Sequence, residues 1–476
     1  MEKKERLADR LNGKKVALIG AGVSNMPLIP FLIGRGADVT VRDGKTEEKL
    51  GEKAGLIKKY GAALVAGEGY LDGLCEDVIV RSPGIRPDIP EFTEAVRRGA
   101  ILTSEMELFL THTACRVFAV TGSDGKSTTT TVLSKLLETL PGGKTYLGGN
   151  IGHPLFHLYP EMEPEDKAAV ELSSFQLMTA DAPVEAAVIT NVTPNHLNWH
   201  TGMDEYIEAK KRILLHAGRA VLNYDCPVTR EIGETAGCPV TFFSRTPVPD
   251  GALRNGDSAI YLKNGVIVKR DRGGAEREFI SRSDILLPGM HNAENYMAAI
   301  AAAGEELDPE AAREIARTFP GVEHRLEFVR EHRGVRYYNG SIDSSPTRTA
   351  AALSALADTM PDRRIVAICG GYDKNIPFEP LAEALLGSET VRAVVLTGAT
   401  AEKIKTAVTS SPLWEARRDG GFLLIDGGDF EDAVAKASET ARAGETVILS
   451  PACASFDRFE NFEERGRLFK ELVRAL

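Results

Sequence analysis

The segment Thr121-Gly122-Ser123-Asp124-Gly125-Lys126-Ser127-Thr128 follows the β-branched run Val117–Val120. A strand, a glycine turn and a helix start in that order form a phosphate cradle. Consecutive backbone N–H groups and a helix N-terminus face an anion, Lys126 adds a mobile positive charge, and the Ser127 hydroxyl is placed to ligate Mg²⁺. Val120 stands where the consensus GxxxxGK[ST] has its first glycine, so the loop is a shorter Thr-Gly-x-x-Gly-Lys-Ser form. A tight glycine turn can be purely structural. Here a lysine, a hydroxyl and a helix bearing Thr129, Val132, Leu133, Leu136 and Leu137 follow in register, which favours a nucleotide phosphate as the ligand.

Two further strand ends carry chemistry. Ala168–Val170 runs into Glu171 and then Ser173-Ser174-Phe175-Gln176, and Ala186–Thr190 runs into Asn191, Thr193, Asn195 and His196. The carboxyl ends of a parallel sheet lie along one edge, so Lys126, Ser127, Glu171 and His196 can converge. Alone, Glu171 reads as an exposed strand end and His196 as a satisfied loop histidine; together beside a phosphate cradle they point to Mg²⁺, bound directly or through water. The stretch 203–217 is expected to be a helix with Met203, Tyr206, Ile207, Ile213, Leu214 and Ala217 on one apolar stripe. Lys211 lies at the edge of that stripe and can snorkel to water, whereas Lys210 falls near its middle. A buried amine is partly neutral, the form that adds CO₂ to become a carbamate; ion pairing with Glu171 or with a bound phosphate is the alternative use.

Downstream, Leu287–Tyr296 opens an alanine-rich helix with Asn292 and Asn295 three apart on one face, able to read an adenine edge or to cap the helix. His324-Arg325 stands at the entry to the last segment, where an arginine reaches a phosphate only when domains close. The turns Cys369–Lys374 and Ser450–Phe456 are candidates for binding a second, small substrate.

These residues need a scaffold larger than one core. A chain of 476 residues is expected to form about three domains. Short β-branched runs alternate with helical stretches throughout, so the fold class is α/β with mostly parallel sheets. The first segment has strands at 15–20, 38–43, 63–66 and 77–81. The turn Gly20-Ala21-Gly22-Val23-Ser24-Asn25 is GxGxxG with Asn25 for the last glycine, and Asp43 lies at the distance of a ribose-binding acid. A ligand-free tight turn explains it nearly as well, and Ser82-Pro83-Gly84 offers further N–H groups. A first boundary falls between about residues 100 and 115, and Lys263-Asn264-Gly265 marks a hairpin inside the second segment. A third series of strands, at 336–339, 364–369, 392–396, 422–426 and 446–450, begins after Phe319-Pro320-Gly321.

The net charge of −11 argues against nucleic acid as partner. No run approaches the roughly 18 apolar residues of a membrane span, and the charged start Met-Glu-Lys-Lys-Glu-Arg lacks an apolar signal region, so a cytoplasmic protein is expected. Cys75, Cys115, Cys226, Cys238, Cys369 and Cys453 form no CxxC pair and are expected to be reduced thiols.

The series TGSDGKST, ELSSFQL, NVTPNHLNWH, AKKRI, LPGMHNAENYMAA, HR, GGYDKNIPF and SPACASFDRFENFEERG resembles the Mur ligase family over nearly the full chain. The resemblance implies three domains: a Rossmann-like UDP-sugar domain at 1–108, a central P-loop ATPase-like domain at 109–319 and a Rossmann-like amino-acid domain at 320–476. Its last two motifs point to addition of D-glutamate to UDP-N-acetylmuramoyl-L-alanine, with ATP and two Mg²⁺ ions, through an acyl phosphate. By the same resemblance Gly122–Thr128 bind ATP, with Lys126 on the phosphates. Ser127, Glu171, His196 and carbamylated Lys210 hold the metals, Asn292 and Asn295 meet adenine, and Arg325 meets the phosphates. Val23, Ser24, Asp43, Ser82, Gly84, Asn150, Ser173 and His196 take the UDP-sugar, and Lys374, Ser455 and Phe462 take D-glutamate. A monomer in peptidoglycan precursor synthesis is implied, with another Mur-type or folylpolyglutamate-type ligase, or a non-catalytic nucleotide switch, as alternatives. Four positions depart from the family pattern. Asp124 replaces a usual Asn, Asn198 a usual Asp, Gly340 the Asp of an Asn-Asp-Ser motif, and Ile342 a common Lys. Weaker or re-routed nucleotide contacts are expected at these positions, without loss of the reaction, since Lys126, Glu171, His196 and Lys210 remain.

Overall fold

The computed structural model describes residues 11–194, 199–254, 256–271, 273–287, 289–374 and 376–476. Three sheets organise the chain. The first joins β1 (Lys15–Ile19), β2 (Asp38–Asp43), β3 (Ala63–Ala66), β4 (Val78–Arg81) and β5 (Ile101–Thr103) in the order β3-β2-β1-β4-β5, all parallel. The second comprises β6 (Arg116–Thr121), β7 (Thr145–Gly149), β8 (Lys167–Glu171), β9 (Val184–Ile189), β10 (Ala217–Asn223), β11 (Val240–Ser244), β12 (Ser258–Lys263), β13 (Val266–Arg270) and β14 (Glu276–Ser281). Its order is β14-β13-β12-β11-β10-β9-β6-β8-β7, parallel except for the β12-β13-β14 meander. The expected hairpin turn sits between β12 and β13, with Asn264 and Gly265 at φ 52° and 79°, the left-handed pair of a type I′ turn. The third sheet contains β15 (Glu327–His332), β16 (Val335–Asn339), β17 (Ile365–Cys369), β18 (Val391–Thr397), β19 (Leu423–Gly428) and β20 (Thr446–Leu449) in the order β15-β16-β20-β17-β18-β19, antiparallel only at β15.

The α/β class follows from strands such as β6, β17 and β18, which are apolar and buried on both faces because helices cover both sides. By contact the chain forms two compact units, one of Met1–Arg282 with Glu294–Ile315, the other of Ser283–Ala293 with Ala316–Leu476. The first two sheets share one unit because their apolar residues merge into a continuous core. The helix Glu105–His112 runs through position 108, and the Glu105 carboxylate accepts the Leu155 and Phe156 N–H groups at 2.9 and 2.8 Å. Burial pushes that carboxyl up to about 7.

The helix expected over 203–217 is shorter in the structure. It spans Met203–Lys211, tightens into a 3₁₀ turn at Arg212–Leu214, and Ala217 already pairs with Val184 in β10. Sheet pairing overrides the helical periodicity there. Six strands were not anticipated: β5 and β15, the sheet neighbours of β4 and β16, and β7, β10, β11 and β14 of the second sheet. All six cysteines are unpaired. Among the described residues no helix is long and apolar enough to cross a membrane.

Candidate active site

The phosphate loop leaves β6 at Thr121 and enters the helix Lys126–Glu138. Gly122 sits at φ 147°, and a Cβ there would lie 1.9 Å from Thr190 Oγ1, so only glycine lets the loop pass β9 this closely. Thr190 Oγ1 donates to the Asp124 carbonyl at 2.5 Å, the Ser123 N–H to the Asn191 carbonyl at 2.9 Å, and the Asp124 N–H to Asn191 Oδ1 at 2.9 Å. The loop is thus sewn to the end of β9. The Asp124 side chain is exposed and turned toward Thr193 Oγ1, 3.5 Å away. Gly125, at φ 78°, caps the helix against Asn295 Oδ1, which also accepts from Thr129 Oγ1 at 3.2 Å. Asn295 therefore braces the turn. Asn292 is buried, its amide 3.3 Å from His291 Nε2.

Around this loop the structure gathers Lys126, Glu171 and Lys210. Lys126 Nζ donates to the Ser123 carbonyl at 2.9 Å, folded over its own loop. Ser127 and Thr128 are buried in the first helical turn. Glu171 lies opposite Val120 in the β6–β8 register and is 1% exposed; its Oε1 accepts from Asn150 Nδ2 at 2.7 Å, while its buried Oε2 has no hydrogen-bond partner among the described residues. Lys210, also 1% exposed, donates to the Gly122 carbonyl at 2.8 Å and lies 4.4 Å from the Tyr206 ring centroid. Burial first, and the Lys126 charge second, pull its amine down to about 7; Asp124 and Glu171 oppose that shift. His196 lies outside the described residues. Among those described, no group of three or more His, Cys, Asp or Glu side chains is gathered for a metal.

Tyr206 and His200 belong to the site but were not singled out in the sequence. The Tyr206 hydroxyl is 2.9 Å from Ser123 Oγ; the sequence placed this residue only on the apolar stripe of its helix, four residues before Lys210. Ser173 is occupied in a reciprocal capping box with Gln176. In the first sheet, Asn25 Nδ2 donates to the Ile19 and Gly20 carbonyls, so a side chain closes the turn that a third glycine would leave open. Asp43 accepts from the Ala21 and Lys45 N–H groups at 2.8 Å each, Val23 is 73% exposed with Ser24 beside it, the Ser82 N–H donates to the Ile19 carbonyl, and the Gly84 carbonyl accepts from Trp199 Nε1.

In the second unit, Lys374 Nζ donates to the Ser344 carbonyl and hydroxyl, each at 3.2 Å. The turns after β17 and β20 are joined by the Tyr372 N–H donating to the Ala454 carbonyl at 2.9 Å, which brings the Lys374 turn to the turn bearing buried Ser455. The Phe462 carbonyl accepts from Ser341 Oγ at 2.8 Å, and its ring stands edge-on to His324. Arg325 is exposed beside His324, whose φ is 66°. The carboxylate missing at position 340 has a neighbour in its place. A Cβ on Gly340 would meet Asp343 Oδ2 at 2.6 Å, and that carboxyl, pushed up to about 7 by burial, accepts from Ser450 Oγ at 2.8 Å.

Residues 120–303 match the model of the Mur ligase middle domain, and residues 324–453 that of the Mur ligase glutamate ligase domain. The chain belongs to the Mur ligase family. It is 45% identical to the UDP-N-acetylmuramoylalanine--D-glutamate ligase of Clostridium novyi, covering 98% of both chains. It is 46% identical to the protein of that name from Clostridium beijerinckii, covering 98% of this chain and 97% of the relative. The crystal structure of UDP-N-acetylmuramate-alanine ligase from Thermotoga maritima shares the fold at TM-score 0.56 and 18% identity, over 97% of this chain and 99% of that one. Mur ligases are ATP-dependent and use Mg²⁺. The donor set here fits both: a glycine loop that enters a helix N-terminus with the Lys126 amine folded over it, and a buried carboxylate oxygen on Glu171 that has no hydrogen-bond partner among the described residues and is suited to a hard cation.

Proposed function

We propose that the chain adds D-glutamate to UDP-N-acetylmuramoyl-L-alanine with ATP, passing through an acyl phosphate, in cytoplasmic peptidoglycan precursor synthesis. The observation that carries the reaction type is the Glu171 Oε2 beside the phosphate loop, without a hydrogen-bond partner among the described residues, together with the buried Lys210 amine on the Gly122 carbonyl. The substrate pair rests on the names of relatives at 45–46% identity over nearly the whole chain. On this account residues 1–108 serve the UDP-sugar, 109–319 ATP and 320–476 the amino acid, in a monomer whose unpaired cysteines suit a reducing compartment.

The loop N–H groups and Lys126 orient the triphosphate. Ser127, Glu171, His196 and carbamylated Lys210 would hold Mg²⁺, Asn292 and Asn295 meet the adenine side, and Arg325 the phosphates. Bound Mg²⁺ would offset the repulsion between an anionic carboxylate and the γ-phosphate. Val23, Ser24, Asp43, Ser82, Gly84, Asn150 and Ser173 would line the path of the UDP-sugar, and Lys374, Ser455 and Phe462 would hold D-glutamate, whose amine attacks the acyl carbon of the acyl phosphate, forming the amide C–N bond as the C–O bond to phosphate breaks and inorganic phosphate leaves.

Phosphate release measured with ATP, Mg²⁺, UDP-N-acetylmuramoyl-L-alanine and one amino acid at a time is expected with D-glutamate alone. Release with L-lysine or glycine but not D-glutamate would reassign the chain within the family; no release with any amino acid would favour a nucleotide switch.

Carbamylation has its own test. With a folded-state pKa of about 7, the neutral fraction of the Lys210 amine rises between pH 6 and 8. Incorporation of ¹³C from labelled bicarbonate, followed by NMR, should grow over the same interval and vanish in Lys210→Arg. A signal that survives this substitution would exclude Lys210 as the modified amine.

A further inference from the structure

One cluster beside the site has no part in holding nucleotide or metal in the scheme above. Arg86, in the loop after β4, forks onto the Glu205 carboxylate at 3.1 and 2.8 Å. It also pairs with Asp88 and donates to the Trp199 carbonyl at 2.9 Å. Glu205 Oε2 accepts the Thr201 N–H at 2.9 Å and lies 3.1 Å from His200 Nδ1. A carboxylate only accepts, so His200 Nδ1 carries the proton and Nε2, 2.9 Å from Ser174 Oγ, is left to accept from that hydroxyl. The His200 side chain is fully buried and packs against the rings of Phe175, Trp199 and Tyr206. Chiefly through the Arg86 hydrogen bonds, the Glu205 carboxyl is held down to about 2, so the pair is ionic at any working pH.

Glu205 is in the first turn of the helix Met203–Lys211, and that helix carries two groups that touch the phosphate loop: Tyr206 on Ser123, and Lys210 on Gly122. The helix therefore has one end anchored by Arg86 and His200 and the other pressed on the loop. We propose that Arg86, Glu205 and His200 are positioning residues that fix the rotation and depth at which this helix presents Lys210 to the phosphate loop. Through Arg86, the first sheet becomes part of the scaffold of the phosphate-loop site as well as a platform for its own ligand. A fork of two ionic hydrogen bonds sets both distance and angle, which a single lysine contact in place of Arg86 would not do. A misplacement of about 1 Å at a reacting group can cost a hundredfold in rate, so rigid anchoring of Lys210 has a catalytic consequence. The expected effect on turnover rests on the ligase function proposed above; the positioning itself rests on the contacts.

The test compares the full-length parent with Glu205→Gln, Arg86→Met and the double variant in two measurements. Amide hydrogen exchange over residues 203–211 of the ligand-free protein should accelerate at least tenfold in each variant, with exchange in β6 and β9 unchanged. In turnover, kcat should fall about tenfold in each single variant with the KM for ATP within threefold, and the double variant should be no slower than the worse single, because the residues act as one unit. Unchanged exchange at 203–211 would overturn the proposal, and so would losses that multiply in the double variant. A lowered melting temperature with intact kcat would reduce the cluster to a structural tie and equally overturn it. If the parent releases no phosphate with D-glutamate, the ligase function fails while the exchange data still decide the positioning.

Discussion

Replacing Glu171 with glutamine should abolish ligation, with turnover lower by about a thousandfold or more, while leaving the protein at least as stable as before. The two halves of this expectation have one cause. Glu171 is buried at the end of β8 with Oε1 bound to Asn150 and Oε2 without a hydrogen-bond partner among the described residues. A buried carboxyl oxygen without a donor is a cost to folding that an amide of the same shape does not increase. The same oxygen is the group best suited to hold a divalent cation beside the phosphate loop, and an amide NH₂ in its place turns a donor's hydrogens toward that cation. Loss of about 4 kcal/mol of charge stabilisation in the transition state corresponds to about a thousandfold in rate. Phosphate release measured across a Mg²⁺ titration, together with thermal unfolding, separates the two effects. A variant that retains more than a tenth of parental turnover at saturating Mg²⁺ would remove Glu171 from the metal site.

What the sequence disclosed was local in origin. The phosphate loop was legible because its glycines, lysine and hydroxyl follow one another within a single strand–turn–helix. Glu171 was legible because a parallel strand delivers its last residue to the sheet edge, and Lys210 because a charge in the middle of an apolar stripe has to be explained. The limits appear where a partner comes from elsewhere in the chain. Helical periodicity continued past Lys211, but β9 claims Ala217 for the sheet. The GxGxxG turn looked incomplete at Asn25, yet the asparagine amide bonds the turn carbonyls. At Gly340 the pattern showed a missing acid, and it could not show that the Asp343 carboxyl, three residues on, lies where a Cβ at 340 would point. The Arg86–Glu205–His200 cluster joins a loop of the first sheet to a helix more than a hundred residues away, and no spacing rule links those positions.

Arg465 is the clearest residue that pattern reasoning passed over, and its removal should be the most damaging change in the second unit. It is 2% exposed in the first half of the final helix, Phe462–Ala475, and among the described residues no carboxylate is in hydrogen-bond contact with it. Its guanidinium instead donates to Ser341 Oγ at 3.0 Å, the Ser341 carbonyl at 2.8 Å, the Ala454 carbonyl at 3.0 Å and the Cys453 carbonyl at 3.1 Å. Burial lowers its pKa to about 10, which still leaves it charged at neutral pH. The planar fork ties the loop after β16 to the turn after β20, and that turn carries Ser455 and pairs with the Lys374 turn through Ala454. Arg465→Met keeps most of the volume but strands buried carbonyls, each costing roughly 1–3 kcal/mol, partly offset by no longer burying a charge. A net loss of roughly 2–4 kcal/mol in denaturant unfolding is expected. Because the stranded carbonyls sit beside the proposed D-glutamate residues, the KM for D-glutamate should rise by ten- to a hundredfold with the KM for ATP within threefold. Arg465→Lys should recover little, since one ammonium cannot reach four oxygens spread along two loops. A Met variant with an unaltered KM for D-glutamate would show that the two turns hold their places without this arginine, and would detach it from substrate binding.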